Sequence, residues 1–313
     1  MVFSKGSVVC CLGSSTTQHG YWVHDVQAYF AQSRPGDRVT FFNCGVGGDT
    51  AQLARYRLEE DVYCYHPTHV FIMFGMNDIR RELYDPALER TAALLGERDR
   101  AIAAYEESLW HLVRDVQKRN IQAMIGVPAP YDTVQPSPCV NFHECADAIA
   151  ICADIARRVA RASQSVCVDI GGEMAALKLA WDRQGEWLYT PDRVHPTRVG
   201  YGVMARIFLR HVVPEEIELP SGLDAWHRQA PVLQERIFAM EERLRDIAYI
   251  DWGRFHPMHG ECLGKEDKIQ RMLALYAEPD CPAWLRRSVE NHFKYADRKD
   301  QLRQDIILAK HCM

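Results

Sequence analysis

Four short segments carry the residue types that acyl chemistry needs. Leu12-Gly13-Ser14-Ser15-Thr16-Thr17 sets hydroxyl groups where the backbone must turn from an apolar run into a helix. A serine there is either a helix cap or a nucleophile served by a nearby base. In Asn43-Cys44-Gly45-Val46-Gly47-Gly48-Asp49-Thr50 the glycines let backbone N–H groups come close to a ligand, and Asp49 or Thr50 can cap the helix that follows. No GxGxxG and no Lys-Ser/Thr ending is present, so neither dinucleotide nor P-loop chemistry is supported. Gly75-Met76-Asn77-Asp78 offers an asparagine amide to a developing oxyanion, or merely a turn. Thr190-Pro191-Asp192-Arg193-Val194-His195-Pro196 puts a carboxylate three residues before an imidazole, a pairing that general-base catalysis uses and that also arises by chance.

The elements that must position these segments alternate in type. Ser7–Leu12, Val39–Asn43, Thr68–Phe74, Ile121–Val127 and Ser165–Ile170 are short runs rich in β-branched and aromatic residues, which predict buried parallel strands. Between them Tyr21–Gln32, Thr50–Tyr63, a long stretch from about Pro86 to Asn120, and Asn141–Ala162 show the spaced apolar residues of helices. That alternation predicts a doubly wound α/β sheet, in which ligands sit beyond the carboxyl ends of the strands. The first three segments each follow a strand. The Pro-rich stretch Pro128–Cys139 follows the fourth, which makes it a candidate wall of a substrate pocket. After Pro214 helical patterns take over. Ala230, Leu233, Ile237, Met240, Leu244 and Ile247 recur at spacings of three and four, predicting a helix packed on its own chain, with a dimer seam as the alternative.

In identity, order and post-strand placement, the four segments together resemble the SGNH hydrolase family, the GDSL-like lipases and acylhydrolases, over about residues 7–211. The resemblance implies a three-layer α/β/α fold with a flavodoxin-like, five-stranded parallel sheet. It divides the chain into an SGNH catalytic domain over 1–213 and a C-terminal helical extension over 214–313. It makes Ser15 the nucleophile and Asp192 and His195 the rest of a catalytic triad. The oxyanion hole it implies is built from the N–H groups of Ser15 and Gly48 and the side-chain amide of Asn77. Ser14 stands where the family usually has an aspartate, removing a carboxylate that could order the turn ahead of Ser15. The implied activity is that of a serine esterase acting on a small or medium acyl ester, a carbohydrate acetyl ester among them, through an acyl-serine intermediate. Acyl transfer, or lysophospholipase or thioesterase action by the same triad, is the alternative; a non-catalytic interaction protein on a decayed scaffold is a second. The chemistry needs no metal or organic cofactor.

Composition narrows the setting. The 313 residues, 47% apolar and 25% charged, suit a globular chain with a sizeable core. A net charge of −5 with no basic stripe argues against nucleic acid as a partner. Eleven cysteines without a CxxC pair or regular framework point to a reducing compartment. With no leader sequence and no apolar stretch near the roughly 18 residues of a membrane span, a soluble cytoplasmic protein is expected. His256, His259 and Cys262 have ligand-like side chains but supply only three groups at no zinc spacing, so a polar loop is expected there. Trp226, Trp252 and Trp284 are expected to pack in the tail, and the charged run Arg55–Tyr63 to form a solvated helix face.

Overall fold

The five predicted strands pair into one parallel sheet. The computed structural model describes residues 2–182, 187–218, 232–251 and 281–311, with a few positions between 270 and 279. In chain order these form β1 (Val8–Gly13), α1 (Ser15–Gln18), α2 (Tyr21–Ser33), β2 (Thr40–Gly45), α3 (Ala51–Ala54), α4 (Leu58–Asp61), β3 (His69–Met73), α5 (Ala92–Lys118), β4 (Gln122–Gly126), α6 (Cys145–Ala162), β5 (Val166–Val168), α7 (Ile170–Asp182), α8 (Arg198–Val212), α9 (Val232–Asp251), α10 (Ala283–Tyr295) and α11 (Lys299–His311). The strand order is β2-β1-β3-β4-β5. The chain leaves β1 for the strand on one side and later returns to the strand on the other, so the carboxyl end of β1 is the point where a ligand crevice opens.

Side chains alternate across the pleat. Cys10, Leu12, Val70, Ile72 and Ile125 pack with α5 and α6 on one face, whereas Val9, Cys11, Phe71, Met124 and Val168 pack with α2, α7 and α8 on the other. Covering both faces is what makes each strand a continuous apolar run rather than an alternating one.

The helix predicted over Thr50–Tyr63 is instead two single turns, α3 and α4, separated by a 3-10 turn at Arg55–Arg57. The expectation of a solvated face over Arg55–Tyr63 holds for Arg55, Tyr56, Glu59 and Glu60 but fails for Arg57 and Asp61, which are fully buried. Arg57 turns inward, pairing with Asp49 at 2.7 Å and Asp61 at 3.2 Å while donating to the carbonyls of Cys44 and Gly13. A guanidinium has five donors in a rigid fork, so one side chain ties the ends of β1 and β2 to two carboxylates. The helix breaks where that side chain is drawn in.

In α9 the apolar seam packs on its own chain: Ile237, Leu244 and Ile247 are buried and Met240 half-buried. Ala230 and the Leu233 side chain lie outside the described residues, as do Trp226, Trp252, His256, His259 and Cys262. Leu244 and Ile306 of α11 join the core on the α5 face of the sheet. Lys310 of α11 donates to the Phe41 carbonyl on β2 and pairs with Glu241 of α9 at 2.8 Å. Strand β2 is an edge, whose open ladder invites non-native pairing, and these tail helices partly cover it. Trp284 packs edge-on against Tyr249 at 5.7 Å yet is 47% exposed. Among the described residues no helix is long and apolar enough to cross a membrane.

Candidate active site

Ser15 opens α1 immediately beyond β1. The close seat of that helix depends on Gly45, where an added Cβ would stand 2.2 Å from the Gln18 backbone nitrogen. Ser14 makes no side-chain capping bond. The turn it occupies is ordered instead by the Ser14 carbonyl, which accepts from Thr17 and Gln18, and by Arg57, whose Nη2 donates to the Gly13 carbonyl at 3.2 Å. The guanidinium thus supplies order at the turn where a carboxylate is missing.

Asp192 and His195 lie on a tight loop between α7 and α8. The Thr190 N–H donates to the His195 carbonyl at 2.8 Å, and Arg193 at its tip takes a left-handed backbone with φ 68°. Three donors converge on Asp192 Oδ1: the Thr190 hydroxyl at 2.8 Å and the backbone N–H groups of Val194 and His195, each at 2.9 Å. That arrangement is an Asx turn, the local reason an aspartate three residues ahead of a histidine can aim its second oxygen at the ring. Asp192 Oδ2 meets His195 Nδ1 at 2.6 Å, and His195 Nε2 meets Ser15 Oγ at 2.7 Å. Partial burial works against the Asp192 charge, but the hydrogen bonds and charge of His195 and the two backbone donors outweigh it. They hold the carboxyl far below the usual range, so it is ionised at any working pH.

The glycine loop is tied to the same end of the sheet. Val46 N–H donates to the Gly13 carbonyl at 3.0 Å, and Gly47 N–H donates to the side-chain oxygen of Gln18. Gly48 adopts φ 73°, a left-handed conformation that turns the following backbone toward α3. Asn77 donates one of its two amide protons to the Asp49 carbonyl at 2.9 Å, and the second has no acceptor among the described residues. The backbone N–H groups of Ser15 and Gly48 have no acceptor among the described residues. Thr50, not Asp49, caps α3, accepting from Leu53 N–H at 3.2 Å, because the Asp49 carboxylate is committed to Arg57.

Asp78 joins the two loops and escaped notice in the sequence because Asn-Asp reads as a turn. Its Oδ1 accepts from Ala51 N–H at 2.8 Å and its Oδ2 from Gly75 N–H at 2.9 Å. Burial pushes its carboxyl up to about 7 despite those donors, with Asp49 adding to the rise. The folded protein therefore binds this proton more tightly than the unfolded chain, in which an aspartate titrates near about 3.9. The contribution of Asp78 to stability is greatest below that pH and falls as pH rises toward about 7. Asp78→Asn cannot titrate and leaves one backbone N–H without an acceptor, at a cost of about 1–3 kcal/mol near pH 5. Its thermal midpoint should approach that of the wild type between pH 4 and pH 7; a gap that widens with pH contradicts the assignment.

The Pro-rich segment after β4 braces the Asp192–His195 loop. Asp132 N–H donates to the Arg193 carbonyl at 2.9 Å, Ser137 Oγ donates to the Pro191 carbonyl, and the buried Asp132 carboxylate pairs with Lys178 at 2.9 Å. One further group stands beside His195 that the sequence did not single out: His19, whose ring lies 4.9 Å from that of His195. Its signal was the four-residue spacing from Ser15, which returns a side chain to the same face of a helical turn. Among the described residues no group of three or more His, Cys, Asp or Glu side chains is arranged to hold a metal ion.

Comparison with known proteins gives the family and the fold. The model of the GDSL-like lipase/acylhydrolase family matches residues 11–203. The chain is 27% identical over 175 residues to the acetylxylan esterase of Geobacillus stearothermophilus, spanning 56% of this chain and 72% of that protein. It is 26% identical over 130 residues to an uncharacterized lipoprotein of Bacillus subtilis, of which it spans about half, 48%. Among solved structures, a gut microbial diltiazem-metabolizing enzyme superposes with a TM-score of 0.77 at 15% identity, over 98% of this chain and 94% of that one. That likeness of fold extends into the helical tail. The crystal structure of the Geobacillus stearothermophilus acetylxylan esterase gives a TM-score of 0.54 at 23% identity, over 69% of this chain and 98% of the other.

Proposed function

The chain belongs to the GDSL-like lipase/acylhydrolase family, whose members are ester-hydrolysing serine hydrolases, and on that premise we propose that Ser15, His195 and Asp192 form the triad of an esterase acting on acetylated carbohydrate. The observation that carries the reading is the unbroken hydrogen-bond chain from Ser15 Oγ through His195 to Asp192, at 2.7 and 2.6 Å. His195 Nε2 takes the Ser15 proton as Oγ attacks the acyl carbon, and Asp192 stabilises the imidazolium that results. The oxyanion is met by the N–H groups of Ser15 and Gly48 and by the second amide proton of Asn77. His195 then returns the proton to the leaving alcohol. Water, deprotonated by the same ring, releases the acid from the acyl-serine.

The acetyl-carbohydrate assignment is supported by the 27% identity to an acetylxylan esterase. The test is a comparison of acetylated xylo-oligosaccharide, p-nitrophenyl acetate and p-nitrophenyl decanoate as substrates. The reading expects the acetates to be favoured in kcat/KM; preference for the long acyl chain would turn the reading to a lipid ester. Asn77→Ala is expected to lower kcat by about 10²–10³-fold with little change in KM, because its donor strengthens only as charge develops. An unchanged kcat removes Asn77 from the oxyanion site. A reducing, cytoplasmic setting fits the nine described cysteines, all of them unpaired.

A further inference from the structure

His19 is not part of the triad, yet it is held beside it in a defined orientation. Its ring is tilted 35° to that of His195 at a centroid separation of 4.9 Å. Its Nδ1 lies 2.7 Å from the hydroxyl of Tyr201, on α8. The Tyr201 side chain is buried, with 2% of the residue exposed, and among the described residues its hydroxyl has no other hydrogen-bond partner. Burial also raises the phenol far above its ordinary range, so it keeps its proton. A buried O–H must donate, and among the described residues the one acceptor within reach is His19 Nδ1. That fixes the tautomer: the ring proton of His19 is on Nε2, a nitrogen with no partner among the described residues.

The charge state fits a neutral donor. His19 is solvent-exposed overall, yet partial desolvation of its ring, together with His195, pushes it down to about 4. Above about pH 5 no second positive charge therefore stands beside the imidazolium that His195 becomes during catalysis. The surface continues as aromatic rings. Tyr21, 37% exposed, lies 5.5 Å from Tyr201 and 5.4 Å from Phe238 of α9, and Arg198 sits over its face at 5.3 Å.

We propose that His19 Nε2–H, oriented by Tyr201, is a specificity donor for an oxygen of the alcohol half of the substrate, adjacent to the oxygen that His195 protonates. The proposal rests on the esterase reading, in which the leaving alcohol must lie on the His195 side of Ser15. A ring donor next to that leaving oxygen suits an alcohol bearing a vicinal hydroxyl, as a partly acetylated sugar does, and Tyr21 offers an apolar face along the same rim. A site built around such a donor discriminates against alcohols that lack the acceptor, since the donor is then left unpaired.

The experiment compares kcat/KM for acetylated xylobiose with that for p-nitrophenyl acetate, whose leaving group has no vicinal oxygen. His19→Phe keeps a ring beside His195 but removes the donor, and is expected to lower the sugar-to-aryl ratio by at least about tenfold. Tyr201→Phe, which frees the tautomer, should lower the ratio less. His19→Gln, which restores an N–H donor, should recover part of it. Equal loss on both substrates would mean that His19 only supports the His195 ring, and unchanged kcat/KM on both would mean that it contacts neither; each leaves the ratio unmoved and overturns the proposal. Should His19→Phe fail to fold, the Tyr201→Phe and His19→Gln ratios still decide the matter. Absence of Ser15-dependent turnover of p-nitrophenyl acetate in the unaltered protein would overturn the esterase reading itself, a different result from a Ser15-dependent enzyme with an unmoved ratio.

Discussion

Ser15→Ala is expected to lower kcat on p-nitrophenyl acetate by about 10⁴-fold or more and to abolish covalent labelling by a fluorophosphonate. The size follows from what is removed. Without Oγ there is no acyl-serine, and His195 Nε2 loses the one group whose proton it is placed to take. The hydroxyls of Ser14 and Thr16 have no hydrogen bond to that ring among the described residues, and Thr17 is fully buried. None of them can replace Ser15 without rebuilding the turn. Oxyanion donors and substrate binding remain, so some turnover above the water rate should persist. Folding should be little affected: Ser15 is half-buried in the first turn of α1, and among the described residues its side chain bonds only to His195. Intact-mass measurement after fluorophosphonate treatment and the kcat ratio check the expectation together. Labelling at another residue, with equal turnover by both proteins, would remove Ser15 from the chemistry.

The parts of this molecule that could be read from its sequence are those whose physics is local or periodic. All five strands were legible because a strand covered on both faces must be a continuous apolar run, and the four chemical segments because each follows a strand or precedes a helix with turn residues in a fixed order. Arg57 was not legible. A charged run has the same composition whether it faces water or turns inward, and what decides between them is Asp49 and two strand-end carbonyls brought close only by the fold. The same reasoning covers Asp78, whose partners Ala51 and Gly75 lie on separate loops, and His19, which depends on Tyr201, 182 residues further along. The tail shows both cases. Its seam could be read from spacing, but its place over the edge of β2 depends on Lys310 reaching Phe41. That cover bears on the site as well as the edge, because Tyr249 of α9 packs beside Gly47: an added Cβ there would meet its ring at 3.3 Å. The glycine loop is therefore held between Gln18 on one side and the tail on the other.

Asp192→Asn should keep the loop and lose the reaction, with kcat falling by about 10⁴-fold. The reason lies in the division of labour between the two carboxylate oxygens. Oδ1 accepts from Thr190 Oγ1, Val194 N–H and His195 N–H, so an asparagine must place its carbonyl oxygen there or leave three donors unmet. Its NH₂ is then obliged to face His195 Nδ1 at the position where Oδ2 now sits, 2.6 Å away. Two donors cannot share that contact, so Nδ1 becomes the acceptor and the ring proton moves to Nε2. In that tautomer Nε2 can no longer take the Ser15 proton, although every heavy atom is close to its original place. The fall in kcat should come with little change in KM, and the thermal midpoint should move only slightly, since the Asp192 side chain is 46% exposed and its Asx-turn bonds survive. Nitrogen-15 NMR of the His195 ring should show the proton exchanged between the two nitrogens relative to the wild type. A variant that keeps the wild-type tautomer, or turns over within about tenfold of the wild type, would mean that Asp192 shapes the loop without directing the proton.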